Sequence, residues 1–292
     1  MKRRVFLAAG LAAAAAPGWP AAERFGRGLL WRVTNGKARP SHVYGTIHVA
    51  DPRLAELPAA VRRRFDAARS LMLEFVPDAY ARERFLEAAM FLDRQTLEEK
   101  IGREDFERAL EHLAPIGLPR EVVNKLKPWG VLLNLRDAAR AEHGAPLDAQ
   151  LLELARARRL PYDQIEGVEE QIFTFDEFPM DSQVALLKHS LAHRAELAEL
   201  AERTLQAYLR SDLAAIWRLR EAFVARDPLI ASHQAVMTKR VIHDRSVVMA
   251  FRMQRQLRRG DAFVALGALH LYGEKGVLAL LAEDGYRAER VL

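Results

Sequence analysis

The sequence predicts a mixed α/β fold: a central mixed β-sheet with flanking helices and two long helical insertions. Three observations carry this. Runs rich in β-branched and aromatic residues, which favour a pleated backbone, stand at both ends of the chain, from Gly28 to Tyr44 and from Ala262 to Val291. Between them, about 79–158 and 168–258 are stretches of helical periodicity. Finally, Gly-x-x-His closes two strand-like runs, as Gly45-Thr46-Ile47-His48 and again as Gly267-Ala268-Leu269-His270, with a helix signal after each. This echo implies two β-turn-α units whose histidines face one crevice.

In chain order, Lys2-Arg3-Arg4 followed by the apolar run from Val5 to Ala16 makes a basic segment and an apolar segment too short to span a bilayer permanently. Residues 1–22 therefore read as an export signal, and the remainder as a periplasmic or secreted protein with no membrane span. Arg3-Arg4-x-Phe-Leu also resembles the twin-arginine pattern, which stands beside an ordinary Sec signal as the export route. A strand from Gly28 to Thr34 is turned by Asn35-Gly36 and runs back through Ser41 to Tyr44, with Pro40 lengthening the loop. Helix Pro58 to Ala68 opens on proline at a first helical position. Ser70 to Phe75 is almost continuously apolar, as a strand buried on both faces would be, and carries Glu74 near its carboxyl end.

Helical pattern from Tyr80 to Arg158 is interrupted at Gly102, Gly117-Leu118-Pro119, Pro128 and Gly144-Ala145-Pro146. Leu160 to Glu166 returns as a short strand, again with an acid at its end. In the second insertion Val184, Leu187, Leu191, Ala198 and Leu205 predict one long helix. Ile230, Met237, Val241 and Val248 predict the apolar face of another, and Arg245 shares that face. The strand to Leu266, a helix from Gly276 and a last strand from Tyr286 to Val291 complete the chain. No linker rich in Pro, Gly or Ser divides residues 23–292, so a single domain is expected.

Composition narrows the function. With 292 residues, half of them hydrophobic, the chain can bury a full core. Leaving out Lys2, Arg3 and Arg4, 41 basic residues stand against 39 acidic ones, which is no footprint for nucleic acid. There is no cysteine, so disulfides and thiolate chemistry are excluded, and any metal must be held by nitrogen and oxygen ligands. Gly-x-Ser-x-Gly and phosphate-binding glycine loops are missing. His189 and His193 have ligand spacing on a helix but lack the glutamate that a zinc-protease helix places after its first histidine. Trp31, Trp129 and Trp217 read as core anchors.

Ligands of open α/β sheets lie outside the carboxyl ends of the strands, and His48, Glu74, Glu166 and His270 share that address. Two imidazoles with one or two carboxylates suit a divalent metal ion such as Zn, Mn, Co or Fe, with positions left open for water. Arg245 is read in two ways: an ion pair with a neighbouring acid, or a guanidinium in the crevice that stabilises an oxyanion or clamps a substrate carboxylate.

The combination of Gly45 to Pro52, Leu73-Glu74, Ile165-Glu166 with Gln171, Asp244-Arg245, and Gly267 to Leu271 with Gly273 and Gly276 resembles the TraB/GumN family, related to the Tiki metalloproteases. The similarity runs from about Leu29 to the C-terminus, and Pro128-Trp129 and Gly144 to Asp148 also fall where the family has comparable residues. The resemblance implies a mixed sheet with helical insertions, as in erythromycin-esterase-like and haem-binding relatives, and metal-dependent hydrolysis, of peptides in the Tiki branch. By the same resemblance His48, Glu74 and His270 are the metal-site residues, and Arg245 is the family's helix arginine. Glu166 is then a general base or a supporting partner, and its exchange of role with Glu74 stays open. The chain departs from the family in Ser246, where asparagine is common, and in Gly167, where threonine is common. The expected substrate is a peptide or small molecule; the alternative is a non-catalytic periplasmic protein, either a carrier of metal or haem or an accessory protein.

Overall fold

The computed structural model describes residues 24–36, 38–138 and 145–292. The export-signal reading of residues 1–22 lies outside the described residues. Six strands form one mixed sheet: β1 (Leu30–Thr34), β2 (Ser41–Thr46), β3 (Ser70–Leu73), β4 (Tyr162–Gln164), β5 (Ala262–Gly267) and β6 (Arg287–Arg290), in the spatial order β4-β3-β5-β2-β1-β6. Strands β4, β3, β5 and β2 run parallel, while β1 is antiparallel to β2 and β6 to β1. β5 sits between two parallel neighbours, and all six of its residues are buried, which explains its uninterrupted apolar sequence. β4 is the opposite case, a three-residue edge strand that is exposed throughout, short as edge strands generally are.

After β2 comes helix α1 (Ala59–Asp66), which buries Val61 and Phe65 against the sheet. The first insertion holds α2 (Ala79–Ala88), α3 (Leu97–Ile101), α4 (Arg103–Leu113), α5 (Arg120–Lys125), α6 (Pro128–Ala138) and α7 (Leu147–Ala157). The starts are chemically marked. Asp78 caps α2, and Thr96 with Glu99 forms a reciprocal capping box on α3. The second insertion holds α8 (Val168–Asp176), α9 (Met180–Ala192), α10 (Arg194–Leu209), α11 (Leu213–Val224), α12 (Pro228–Thr238) and α13 (Arg245–Arg259), and α14 (Val277–Glu283) comes after the second histidine motif.

Four hydrophobic clusters form among the described residues, two of them large. The larger surrounds the sheet and takes Phe65, Tyr44, Phe263, Leu151, Met249 and Met253 among its members. The other lies within the helical insertions, where Phe106, Trp129 and Leu135 pack against Leu187 and Leu191. Among the described residues no helix is long and apolar enough to cross a membrane.

Two helical expectations need correction. The stripe from Val184 to Leu205 does not lie on one helix: the backbone leaves helical geometry at His193 (φ −115°, ψ 33°), dividing α9 from α10, and Ala198 is exposed. Between α12 and α13 the chain stays coiled but widens into a π-helical turn, Lys239–Asp244. That extra width rotates α13 about its axis, so Val248 is 38% exposed while Arg245, Ser246, Met249, Met253 and Leu257 face inward. Arg245 is buried as expected, though with different neighbours.

Candidate metal centre

The parallel ladder brings the carboxyl ends of four strands side by side. Register pairs Thr46 with Gly267 and Leu73 with Ala265. Past the last strand residues, Glu74 N–H donates to the Ala265 carbonyl (2.9 Å), and Glu166 N–H to the Glu74 carbonyl (3.1 Å). Both glutamates are thereby delivered to one edge. His48 follows β2 in a segment without regular secondary structure, whereas His270 ends a 3-10 turn, Ala268–His270. The Tyr208 hydroxyl on α10 donates to the Gly45 carbonyl (2.8 Å) and fixes the first motif from behind.

His48, Glu74, Glu166, Arg245 and His270 all meet at this edge. His48 Nε2 lies 3.7 Å from Glu74 Oε2, and His270 Nε2 lies 4.0 Å from Glu74 Oε1. Glu74 also accepts from Gly267 N–H (2.9 Å) and from Arg245 Nη2 (2.5 Å), one donor on each oxygen. Arg245 bridges to Glu166 through Nε (3.0 Å) and Nη2 (2.5 Å), and its Nη1 donates to the Val241 carbonyl. Four of the five guanidinium N–H groups are thus committed within the protein. Of the two readings of Arg245, these contacts are those of the buried ion pair, with Glu74 and Glu166 as the acids and one guanidinium N–H left over. Glu166, held by Arg245 and touched by Gln171 Nε2 (3.4 Å), stands on the neighbouring strand end, behind Glu74.

The partners of the two imidazoles fix which way each Nε2 points. Ser246 Oγ donates its single proton to the Ile242 carbonyl (2.7 Å), so in its contact with His270 Nδ1 (2.9 Å) the hydroxyl accepts. His270 therefore carries its proton on Nδ1 and presents a lone pair at Nε2. Asp148, on the first turn of α7, accepts from Thr46 Oγ1 (2.7 Å) and faces His48 Nδ1 (2.8 Å). That pairing likewise directs His48 Nε2 to Glu74. Asp148 was not singled out as a site residue from the sequence; its signals were an acid just after Pro146 at a helix start and its place in the stretch ending at Asp148 that resembles the family.

Electrostatics reflect these contacts. Burial pulls His270 down to about 4, against the attraction of Glu74, so it is neutral at pH 7. Asp148 pushes His48 up to about 10, against burial, with Glu74 adding to the rise; the side chain is 42% exposed, and solvent screens part of this. Burial alone would raise the Glu74 carboxyl, but His48, His270 and Arg245 outweigh it and hold the group well below the usual carboxylate range.

Among the described residues no three ligand groups already converge at coordinating distance. The donor types are nonetheless those that a divalent ion takes. Ligands of one tetrahedral ion at about 2.1 Å stand about 3.4 Å apart, close to the separations seen here, and each Glu74 oxygen keeps a lone pair. Histidine ligands backed by a carboxylate or hydroxyl are the usual outer-shell arrangement. Gly267 also leaves a cradle: a Cβ there would lie 3.2 Å from His48 Nε2, 3.3 Å from Glu74 Oε2 and 3.4 Å from His270 Cδ2. A side chain would fill the space between the three groups.

His189 and His193 are remote from this centre. Their rings stack on each other at 4.2 Å, and His193 Nδ1 is turned to the His189 carbonyl. A cavity of about 630 Å³ lined by Phe25, Trp31, Asp212, Arg218, Tyr272 and Arg290 contains none of the five expected site residues.

A model described as the TraB/PrgY/gumN family matches residues 29–290. Two proteins named YbaP, from Shigella flexneri and from Escherichia coli (strain K12), are each 26% identical to the chain over 271 residues, covering 90% of it and 92% of their own length.

Proposed function

Because the chain belongs to the TraB/PrgY/gumN family, we propose that it is an exported metal-dependent hydrolase acting on peptide bonds, with His48, Glu74 and His270 as the metal ligands. One observation carries the proposal: two imidazole Nε2 atoms from distant parts of the chain flank opposite oxygens of one carboxylate, around a glycine whose missing side chain leaves room between them. A metal ion would need both Nε2 atoms deprotonated: His270 is already neutral, and His48, raised to about 10, would release its proton as the ion bound.

Each residue has a task in this reading. His270, buried and neutral, is oriented by Ser246; His48, on the open side, is oriented by Asp148. Arg245 and Glu166 are positioning residues. Arg245, itself fixed by Glu166, holds Glu74 ionised and in place, so that its free lone pairs face the two imidazoles. A divalent ion held there would lower the pKa of a bound water to roughly 7 and polarise a scissile carbonyl. The exposed edge of His48 marks the side from which a substrate approaches. The basic and apolar start of the chain supports export, and with it a periplasmic or secreted place of action.

Elemental analysis tests the core of this. Protein purified from its own compartment should carry about one divalent ion per chain, and the folded His48→Ala, His270→Ala double variant should carry none. Equal metal in both proteins defeats the assignment. Cleavage of a peptide library by the parent and not by the variant would then establish the reaction.

A further inference from the structure

A second polar cluster lies beside this centre, on α11 and the π-helical turn. Leu213 and Ile216 turn α11 towards the core, while Trp217 and Arg220, three residues apart, share another part of its surface. Arg220 Nη2 donates to Thr238 Oγ1 (2.6 Å) and Gln234 Oε1 (3.4 Å) on α12. Its Nη1 is buried without an acceptor among the described residues, and so is the indole Nε1 of Trp217. The guanidinium carbon is 5.8 Å from the Trp217 ring centroid, and the His243 ring lies 5.9 Å from it at an interplanar angle of 20°.

Charge makes the cluster stranger than two missing hydrogen bonds. Among the described residues no carboxylate stands within ion-pair distance of Arg220, and burial lowers its pKa, opposed only by the adjacent Glu221. The cations Lys275 and Lys239 both act on His243, and Lys239 is already paired with Asp244. A buried guanidinium without a counter-charge is costly, and buried donors in native proteins are nearly always satisfied. What the cluster lacks is an acceptor carrying negative charge. One free guanidinium nitrogen and one indole N–H, from side chains 5.8 Å apart, are two donors without acceptors, as many as a carboxylate has oxygens.

The place also matters. α11 and the π-helical turn both pack against the 3-10 turn that ends in His270. We propose that Trp217, Arg220 and His243 form a carboxylate-binding subsite beside the His48–Glu74–His270 centre, where a free carboxylate of the ligand is read by Arg220 Nη1 and Trp217 Nε1. Carboxylate binding stands by itself; only its description as substrate recognition rests on the hydrolase reading.

The test compares N-acetylalanine with its C-terminal amide by calorimetry on the full purified chain, together with the Trp217 indole proton by NMR. The acid should bind about tenfold or more tightly than the amide, as loss of a charge-assisted hydrogen bond implies, and should shift the indole resonance. Arg220→Gln should remove the discrimination, and Trp217→Phe should weaken the acid while leaving the amide unchanged. The His48→Ala, His270→Ala variant should bind the acid as the parent does, which separates failure of this subsite from failure of the metal centre. Equal binding of acid and amide, or inorganic phosphate bound more tightly than the acid, overturns the proposal. So does an indole resonance that the acid leaves unmoved, a readout that needs no variant to fold.

Discussion

Gly267→Ala isolates the metal centre with one methyl group. The backbone at Gly267 (φ −53°, ψ 131°) suits any L-residue, so the change causes no dihedral strain. The added carbon meets three groups at 3.2–3.4 Å, close enough that each must yield slightly, and it occupies the space they surround. At compatible dihedrals Gly→Ala gains about 0.4–1 kcal/mol through the unfolded chain, and the tight contacts offset this, so metal-free stability should change by less than about 1 kcal/mol. Metal response should change far more. For the parent, an ion at a hundred times its Kd adds about 2.7 kcal/mol, which for a chain of 292 residues raises Tm by about 4–5 °C. Thermal denaturation with and without added zinc or manganese should show that rise in the parent and none in Gly267→Ala. Gly45→Ala is the control. Its Cβ would lie 2.6 Å from the Leu271 side chain, away from the imidazoles, so it should lower stability by about 1–3 kcal/mol yet keep the metal-dependent rise. A full metal response in folded Gly267→Ala refutes the reasoning.

Three further expectations concern the same residues. Asp148→Asn should let the His48 pKa fall from about 10 towards the ordinary 6.5, seen by NMR titration, and should weaken metal binding roughly 10–100-fold; an unmoved titration would deny Asp148 its role. His270 is buried with its pKa lowered from 6.5 to about 4, so metal-free stability should be complete above pH 6.5 and decline by about 3 kcal/mol as pH falls to 4. His48, raised to about 10, adds the opposite limb, lost as pH rises from 6.5 towards 10, so urea denaturation should show a maximum near 6.5 whose acid limb flattens in His270→Leu. Arg245→Met strands two buried carboxylates and should cost about 3–5 kcal/mol in chemical denaturation, recovered in good part by adding Glu74→Gln and Glu166→Gln.

The sheet and its edge were legible because buried parallel strands leave continuous apolar runs, and because Glu74, Glu166 and both histidines stand at or just beyond the ends of such runs. Resistant to reading was whatever depends on contact across distance in sequence. Asp148 meets His48 across a hundred residues, and nothing local to α7 distinguishes it from an ordinary acid in a first helical turn. Periodicity also assumes constant phase. It carried the α9 stripe through the break at His193, and it matched Val241 to Val248 across a turn of different pitch. Trp217 was read as a core anchor, since burial of a ring in sequence terms says nothing about an unmet indole N–H.

The wide turn of Lys239–Asp244 makes the chemistry of this protein depend on segment length. An α-helix advances about 100° per residue, so removing one residue there would swing Arg245 and Ser246 roughly a third of a revolution off their targets. Glu74, Glu166 and His270 would lose their supports together, although every side chain they use is still encoded. Point substitutions along this stretch are therefore a milder perturbation than a single-codon deletion. The turn works as a phase adjuster, letting one nearly unbroken rod serve the helical layer at its start and the sheet edge at its end.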